Sequence, residues 1–228
     1  MVFLNSWLIL SLMFLGVWFI IWIARGKLRK EMLWASILTT PFGLTEPLFV
    51  PEYWNPPSLF NLAANTGFDI ESFIFAFAVG GVGSVLYEFL TRKWHKKISK
   101  HEKHKRRHRF HLLVLISPFV VLILLYLFTN LNPIYSVIIS LFIGGFAAIL
   151  CRPDLKNKVF IGGLSFLILY FFFFLLLNTV YPGWVKQIWN LAAISGILIM
   201  GVPLEELIFA FTFGMMWSSY YEHINWYK

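Results

Sequence analysis

The chain has 228 residues, of which 59% are hydrophobic, 19% aromatic and only 13% charged, and its formal net charge is +8. This composition lies far outside the range of soluble globular proteins. The apolar runs are long enough to cross a hydrocarbon core, which needs about 20 helical residues, and none has the alternation of a transmembrane β-strand. The sequence therefore predicts an all-α, polytopic membrane helical bundle.

Seven apolar runs follow one another along the chain, and each predicts a transmembrane helix. They cover residues 6–24, 31–50, 67–90, 111–128, 133–151, 159–181 and 203–222. The first run has no basic segment before it, so we expect a retained span and not a signal peptide. A further apolar stretch, 187–200, is short and follows Pro182-Gly183, and we expect a re-entrant or interfacial segment there.

The basic residues predict the orientation of these spans. Eighteen of the 19 Lys and Arg residues fall on one side of a seven-helix bundle, and only Lys186 falls on the other. Because positively charged loops stay in the cytoplasm, we expect the N-terminus outside and the C-terminus inside. Ten basic residues lie between Arg92 and Arg109, where they would attract anionic lipid headgroups.

One acidic pattern occurs twice. The segment GFDIESFIFAF at 67–77 reappears as GVPLEELIFAF at 201–211, and the match continues to Glu88 and Glu222. Placing a carboxylate in a segment apolar enough to span a membrane costs free energy. Its recurrence at the same position of two such helices therefore indicates a duplicated functional site. We expect a three-helix repeat at 1–90, a basic loop with a linking helix at 91–132, and a second three-helix repeat at 133–228. Three spans are an odd number, so a second copy placed directly after the first would be inserted upside down. The linking helix adds one more crossing, so the two repeats run in the same direction through the membrane.

Six carboxylates fall on the outer half of the predicted bundle, where almost no basic residue is available to neutralise them. They are Glu46, Glu52, Asp69, Glu71, Glu205 and Glu206. Carboxyl groups in apolar surroundings favour the protonated form, and a close pair shares one proton, so such a group is a candidate general acid. The simpler alternative is that Glu71 and Glu205 only begin helices, where an acid favours the macrodipole. Glu88 and Glu222, 17 residues further along, lie across the membrane from that pair.

Aromatic residues crowd the same end of both units. They are Tyr53, Trp54, Phe60 and Phe75 in the first, and Tyr181, Trp184, Trp189 and Phe209 in the second. An interfacial aromatic belt explains part of this pattern. Rings that line a cleft would stabilise a cation that carries no hydrogen-bonding group.

Other chemistry is not favoured by the sequence. His101, His104, His108 and His111 would share one helical face and could ligate a metal, but the surrounding positive charge disfavours a cation. The basic loop lacks the aromatic pattern of a nucleic-acid site, and no Gly-rich phosphate motif is present. We therefore expect no metal, no cofactor and no nucleic acid. The single cysteine, Cys151, excludes an intrachain disulfide.

A resemblance to a known family begins at residues 203–209, Pro-Leu-Glu-Glu-Leu-Ile-Phe. This motif, with Thr40-Pro41 at a helix end and a Trp-containing loop before it, resembles the membrane lycopene cyclases, which are flavin-independent carotenoid cyclases. The resemblance covers both three-helix units. In the first copy Asp69 replaces the Pro and Ser72 replaces the second Glu.

The resemblance implies ring closure of a linear carotenoid end group without net redox change. An acid protonates the terminal double bond, the neighbouring alkene attacks the tertiary cation, and a base removes a proton. On this resemblance Glu205 or Glu206 is the proton donor with the other as base, and Glu71 is their counterpart across the cleft. The expected substrate-binding residues are Glu46, Asp69, Trp54, Phe75, Trp184, Trp189 and Phe209.

Two alternatives stay open at this stage. In a carotenoid hydratase, water captures the same cation. A transporter or a pigment-binding protein would use the outer carboxylates without catalysis. A retinal protein is disfavoured, because the one outer lysine, Lys186, lies in a loop.

Overall fold

The computed structural model describes residues 6–93, 95–99, 103 and 106–227, and it is nearly all-α. The helices are α1 (Ser6–Ala24), α2 (Arg29–Thr39), α3 (Glu46–Phe49), α4 (Leu62–Thr66), α5 (Ile70–Thr91), α6 (His111–Phe128), α7 (Pro133–Cys151), α8 (Lys156–Val180), α9 (Trp184–Ile188) and α10 (Leu204–Asn225). Short 3-10 turns cover Gly26–Leu28, Thr40–Thr45, Leu59–Asn61, Arg106–Phe110, Pro153–Leu155 and Leu191–Ala193. Two strands of two residues each, β1 (Leu198–Ile199) and β2 (Val202–Pro203), pair in antiparallel register and form a small hairpin.

Five helical stretches in the described part of the chain are long and apolar enough to cross a membrane. They are Ser6–Ala24, Ile70–Thr91, His108–Phe128, Pro133–Cys151 and Pro153–Val180. These stretches correspond to the first, third, fourth, fifth and sixth predicted spans. The last helix, α10, has 22 residues but carries Glu205, Glu206 and Glu222. A membrane helical bundle is thus confirmed, and the count of seven spans stays a prediction.

The second predicted span, 31–50, differs from one continuous α-helix. α2 ends at Thr39, a 3-10 turn follows, and α3 begins at Glu46. Pro41 and Pro47 each lie at the start of one of these new stretches. A proline has no N–H to donate to the preceding turn, so it is tolerated where a helix starts and breaks a helix in its middle. The break leaves Glu46 as the first residue of α3.

The apolar stretch 187–200 is also not a single helix. α9 ends at Ile188, and a 3-10 turn and the small hairpin follow before α10 begins. Its placement in the bilayer stays a prediction. Its backbone pairs with the loop after α3, because Asn190 N–H donates to Tyr53 O at 2.9 Å and Asn55 N–H donates to Ile188 O at 2.8 Å.

Two groups of helices meet at α5 and α10. α5 packs against α1 and α2, α10 packs against α7 and α8, and α5 contacts α10 directly. α8 and α10 approach so closely that a Cβ on Gly214 would lie 2.8 Å from Gly162 O and 2.9 Å from Gly163 Cα. Small residues allow such close approach between membrane helices. α6 lies outside both groups and packs mainly against α7.

The same backbone conformations recur at positions paired by the internal sequence match. Arg25 (φ −133, ψ 73) and Arg152 (φ −129, ψ 73) each precede a three-residue 3-10 turn and then a helix. α5 and α10 end at left-handed residues, Arg92 (φ 56) and Trp226 (φ 57). These are local recurrences, and the division at residues 90 and 133 into two complete repeats stays a prediction.

Candidate active site

A cavity of about 480 Å³ lies where α1, α2, α3, α5, α6, α7, α8 and α10 converge. Ligand pockets typically enclose about 300–1,000 Å³. The walls are mainly aliphatic and aromatic, and among the described residues no Lys, Arg or His lines them. Two carboxylates do line the cavity, Glu46 and Glu206.

Glu206 is held at the cavity wall by three side-chain donors. Its Oε1 accepts hydrogen bonds from the Tyr53 hydroxyl at 2.5 Å and from Trp189 Nε1 at 2.9 Å. Its Oε2 accepts one from the Tyr170 hydroxyl at 2.5 Å. The side chain is buried, and all three donors also line the cavity. Hydrogen bonds to a carboxylate are shorter and stronger than neutral ones, so this network stabilises a negative charge away from water.

Glu46 reaches the same cavity from the first half of the chain. Its Oε2 accepts a hydrogen bond from the Ser72 hydroxyl at 2.9 Å, and the residue is buried. Ser72 occupies the position in the first acidic pattern that Glu206 occupies in the second. The first half therefore brings a carboxyl group to the cavity through α3, although its own pattern has serine at that position.

Glu71 and Glu205 hold loops and do not line the cavity. Glu71 Oε1 accepts from the Leu59 backbone N–H at 2.7 Å. Glu205 Oε1 accepts from the Ser195 backbone N–H at 2.9 Å and from the Tyr135 hydroxyl at 2.8 Å. Adjacent residues on a helix point about 100° apart, and here Glu206 faces the cavity while Glu205 faces the loop at Ser195. Of the three residues expected to be catalytic, only Glu206 lies at the cavity.

The expected substrate-binding residues divide in the same way. Glu46, Trp54, Phe75, Trp189 and Phe209 line the cavity, and Asp69 and Trp184 do not.

The last two residues support the site from behind. The Asp69 carboxylate caps α5 by accepting from Ser72 N–H at 2.5 Å, as short polar side chains do at helix starts. Trp184 is fully buried, donates from Nε1 to Asn178 Oδ1 at 2.7 Å, and packs edge to face on Trp189 at 5.1 Å.

Sequence reasoning missed several contributors to the site, among them Tyr170 and the linking helix α6. Tyr170 is the one tyrosine in α8, within a run of leucine and phenylalanine, and an isolated hydroxyl in such a run was an available signal. The linking helix α6 forms one wall through Pro118, Phe119, Leu122 and Tyr126. No motif marks α6, because its contribution is apolar surface alone.

The opposite end of the bundle holds a second cluster of charged groups. Lys158 Nζ lies 2.5 Å from Glu88 Oε1 and also contacts Glu222 Oε1. His95 Nε2 lies 2.6 Å from Glu222 Oε1 and 3.1 Å from Glu31 Oε2. Glu222 is 16 residues beyond Glu206, about 24 Å of helix rise. We call these five residues the inner ion-pair cluster and the cavity end of the bundle the outer end, after the orientation that the sequence predicts.

These features define a class, a helical membrane protein with two carboxyl groups facing one apolar, aromatic-walled cavity. The chain matches the lycopene cyclase family model over residues 5–90 and 132–224, and it belongs to that family. No curated protein and no solved structure gives a significant match. Membership and the apolar helices together indicate an integral membrane enzyme of carotenoid biosynthesis, and they support a carotenoid cyclase function on a hydrophobic substrate. Residues 91–131 lie outside the family match.

Proposed function

We propose that the protein closes a ring at the end of a linear, lycopene-type carotenoid by proton transfer in the cavity between Glu46 and Glu206. The observation that carries this proposal is the pair of carboxyl groups on one apolar cavity with no basic side chain among its described lining residues. The reaction is an isomerisation, because one proton enters the substrate and one leaves it.

Glu46 is the proposed proton donor. Its surroundings are apolar, its hydrogen-bond donor is the neutral Ser72 hydroxyl, and a buried carboxyl group without a cation is less costly in its neutral form. Its proton adds to the terminal double bond and leaves a tertiary cation on the substrate. The neighbouring alkene then forms the new carbon–carbon bond, which moves the positive charge into the ring.

Glu206 is the proposed base. The Tyr53, Tyr170 and Trp189 donors stabilise its carboxylate form, which stabilises the passing cation and then accepts a proton from a carbon beside the charge. The ring double bond forms as that proton leaves. Return of the proton from Glu206 to Glu46 completes the cycle. This assignment moves the acid–base pair from Glu205 and Glu206 to Glu46 and Glu206.

The aromatic walls protect the cation. Trp54, Phe75 and Phe209 line the cavity and present π systems that attract positive charge without reacting with it. Excluding water prevents its capture of the cation, which would yield a hydrated product. By keeping water from the cation, the same walls favour ring closure over hydration.

The proposed orientation places this cavity in the outer half of the membrane. Support comes from the basic residues, of which 18 of 19 fall on the other side of a bundle that counts α2–α3 and α10 as spans. The basic loop then faces the cytoplasm and anionic lipid headgroups. Residues 1–90 and 133–228 form the proposed parallel repeats, joined by 91–132.

The test is expression in cells that accumulate lycopene, followed by separation of the pigments. We expect ringed products from the wild type and almost none from Glu46→Gln. Glu52→Gln is the matched control, because Glu52 is an exposed carboxylate near the same end that does not line the cavity. Glu205→Gln should retain most conversion, because the amide oxygen still accepts from Ser195 N–H and Tyr135.

Each other outcome has a definite meaning. Hydroxylated pigments would identify a hydratase, and unchanged lycopene beside folded wild-type protein would refute both activities. Full conversion by Glu46→Gln would refute its role as donor, and loss of conversion in Glu205→Gln alone would restore Glu205 to the catalytic pair.

A further inference from the structure

Two imidazoles and a thiol meet at the inner end of α6 and α7. His108 lies in the 3-10 turn before α6, His111 is the first residue of α6, and Cys151 is the last residue of α7. Cys151 Sγ lies 3.5 Å from His108 Nδ1 and 3.4 Å from His111 Nδ1. The three potential ligand atoms all lie within 4.8 Å of one another. His108 and Cys151 are buried, and His111 is partly buried.

We propose that His108, His111 and Cys151 bind a zinc ion. Zinc binds sulfur at about 2.3 Å and nitrogen at about 2.0–2.1 Å, so sulfur and nitrogen ligands on a tetrahedral ion are about 3.6 Å apart. The two sulfur–nitrogen separations here are close to that length. Two of the three ligand separations therefore already suit the ion, and a water molecule would complete the tetrahedron.

The ring of His111 is oriented for this role by its other nitrogen. Its Nε2 lies 2.9 Å from the backbone carbonyl of His223, which accepts hydrogen bonds and cannot donate them. In the neutral ring the proton is therefore on Nε2, and the lone pair of Nδ1 faces Cys151. Metal-binding histidines commonly donate their second N–H to a carbonyl in this way. The Trp226 ring stacks on His111 at 4.1 Å and holds the ring plane.

One of the arginines beside the site has an acidic partner. Arg152 follows Cys151 directly, but its guanidinium donates to both carboxylate oxygens of Asp154, at 2.9 and 2.7 Å. The Asp154 carboxylate therefore offsets part of the charge of Arg152, and a zinc-bound thiolate cancels part of the metal charge. His101 and His104, the other histidines of the predicted face, lie outside the described residues.

A second group of possible ligands, Glu31, His95 and Glu222, is a poorer candidate. Lys158 Nζ already contacts Glu222, so that group has a positive partner supplied by the chain itself. The His108, His111 and Cys151 site has soft thiolate and imidazole ligands, the set that zinc prefers. Zinc there would clamp the start of the linking helix α6 onto α7, and so would attach a segment outside the family match to the rest of the bundle.

The experiment uses the full chain purified in mild detergent without chelator. After one equivalent of Zn²⁺ and extensive dialysis, elemental analysis should find about one zinc per chain in the wild type. Cys151→Ser and His111→Ala should each lower zinc affinity at least about tenfold. Replacing zinc by Co²⁺ should produce a thiolate-to-cobalt charge-transfer absorption that Cys151→Ser abolishes.

His95→Gln is the control, because it alters the competing ligand group and leaves the proposed ligands in place. It should bind zinc like the wild type, and elution as one size-exclusion peak verifies the fold of each variant. Wild-type protein without retained zinc overturns the proposal. If Cys151→Ser retains as much zinc as the wild type, the result indicates an adventitious ion only and overturns the proposal. Loss of zinc in His95→Gln alone also overturns it. None of these outcomes depends on cyclase activity.

Discussion

The two ends of the bundle use buried carboxylates in opposite ways. At the inner end, Glu88 and Glu222 share the ammonium group of Lys158. At the outer end, Glu46 and Glu206 face a cavity whose described lining residues include no basic side chain. The comparison teaches that a buried carboxyl group is structural where a cation is buried with it, and becomes a candidate acid or base where it has only neutral donors and also faces a cavity that can admit a substrate.

The physical reason is the free energy needed to remove a charged group from water. A buried ion pair offsets the desolvation of each partner by attraction, and removing one partner leaves an uncompensated charge. A carboxyl group without a cation can instead be buried in its neutral form, whereas hydroxyl and indole donors stabilise its charged form. Mutations at the cavity should therefore change mainly activity, whereas mutations in the inner ion-pair cluster should change mainly stability.

The largest expected effect is that of Glu206→Gln on activity. The amide keeps the size of the side chain but cannot accept the proton, so we expect a rate loss of about 10²–10⁴-fold, the usual contribution of a general acid or base. Thermal stability in detergent should change little. Pigment conversion in lycopene-accumulating membranes measures the rate, and a variant that unfolds at wild-type temperature but converts normally would contradict the assigned role.

Lys158→Met tests the inner ion-pair cluster. It leaves three buried acids, Glu31, Glu88 and Glu222, without the ammonium group, and we expect a loss of about 3–5 kcal/mol in unfolding free energy. Denaturant unfolding in detergent measures this loss. Lys156→Met is the matched control, because Lys156 is exposed two residues earlier in the same helix. Equal stability of the two variants would remove the structural role of the cluster.

Tyr170→Phe should give an intermediate effect at the outer end. It removes one hydrogen bond to Glu206, and hydrogen bonds to charged groups contribute about 1.5–3 kcal/mol, so activity should fall about tenfold or more. Tyr135→Phe is the control, since Tyr135 donates to Glu205 and does not line the cavity. If both variants lost the same activity, the distinction between Glu205 and Glu206 would fail.

A pH dependence of stability is expected from His95. Burial lowers the pKa of His95, but hydrogen bonds to Glu222 and Glu31 outweigh it and raise the pKa to about 10. Unfolded histidine has a pKa of about 6.5. The stabilisation is therefore complete below about pH 6.5 and is lost as the pH rises through about 10. Melting curves between these pH values should show this decline, and His95→Gln should flatten it.

Much of the fold was predictable because it follows from local pattern. Long apolar runs predicted α1, α5, α6, α7 and α8 within a few residues, and the motif at 203–209 predicted the family. The break between α2 and α3 was not predicted, although Pro41 and Pro47 mark it. Apolar composition decides that a segment enters the membrane, whereas two prolines decide whether it stays one helix.

The sequence by itself determined the membrane class, the family, and the presence of carboxylates at both ends of α5 and α10. Only the tertiary structure decided which of them meet. Glu206 turns to the cavity and Glu205 turns away, and the Tyr53 hydroxyl that binds Glu206 comes from 153 residues earlier. The reason is geometric, because side-chain direction changes by about 100° with each helical residue, so the partners depend on how whole helices rotate and pack.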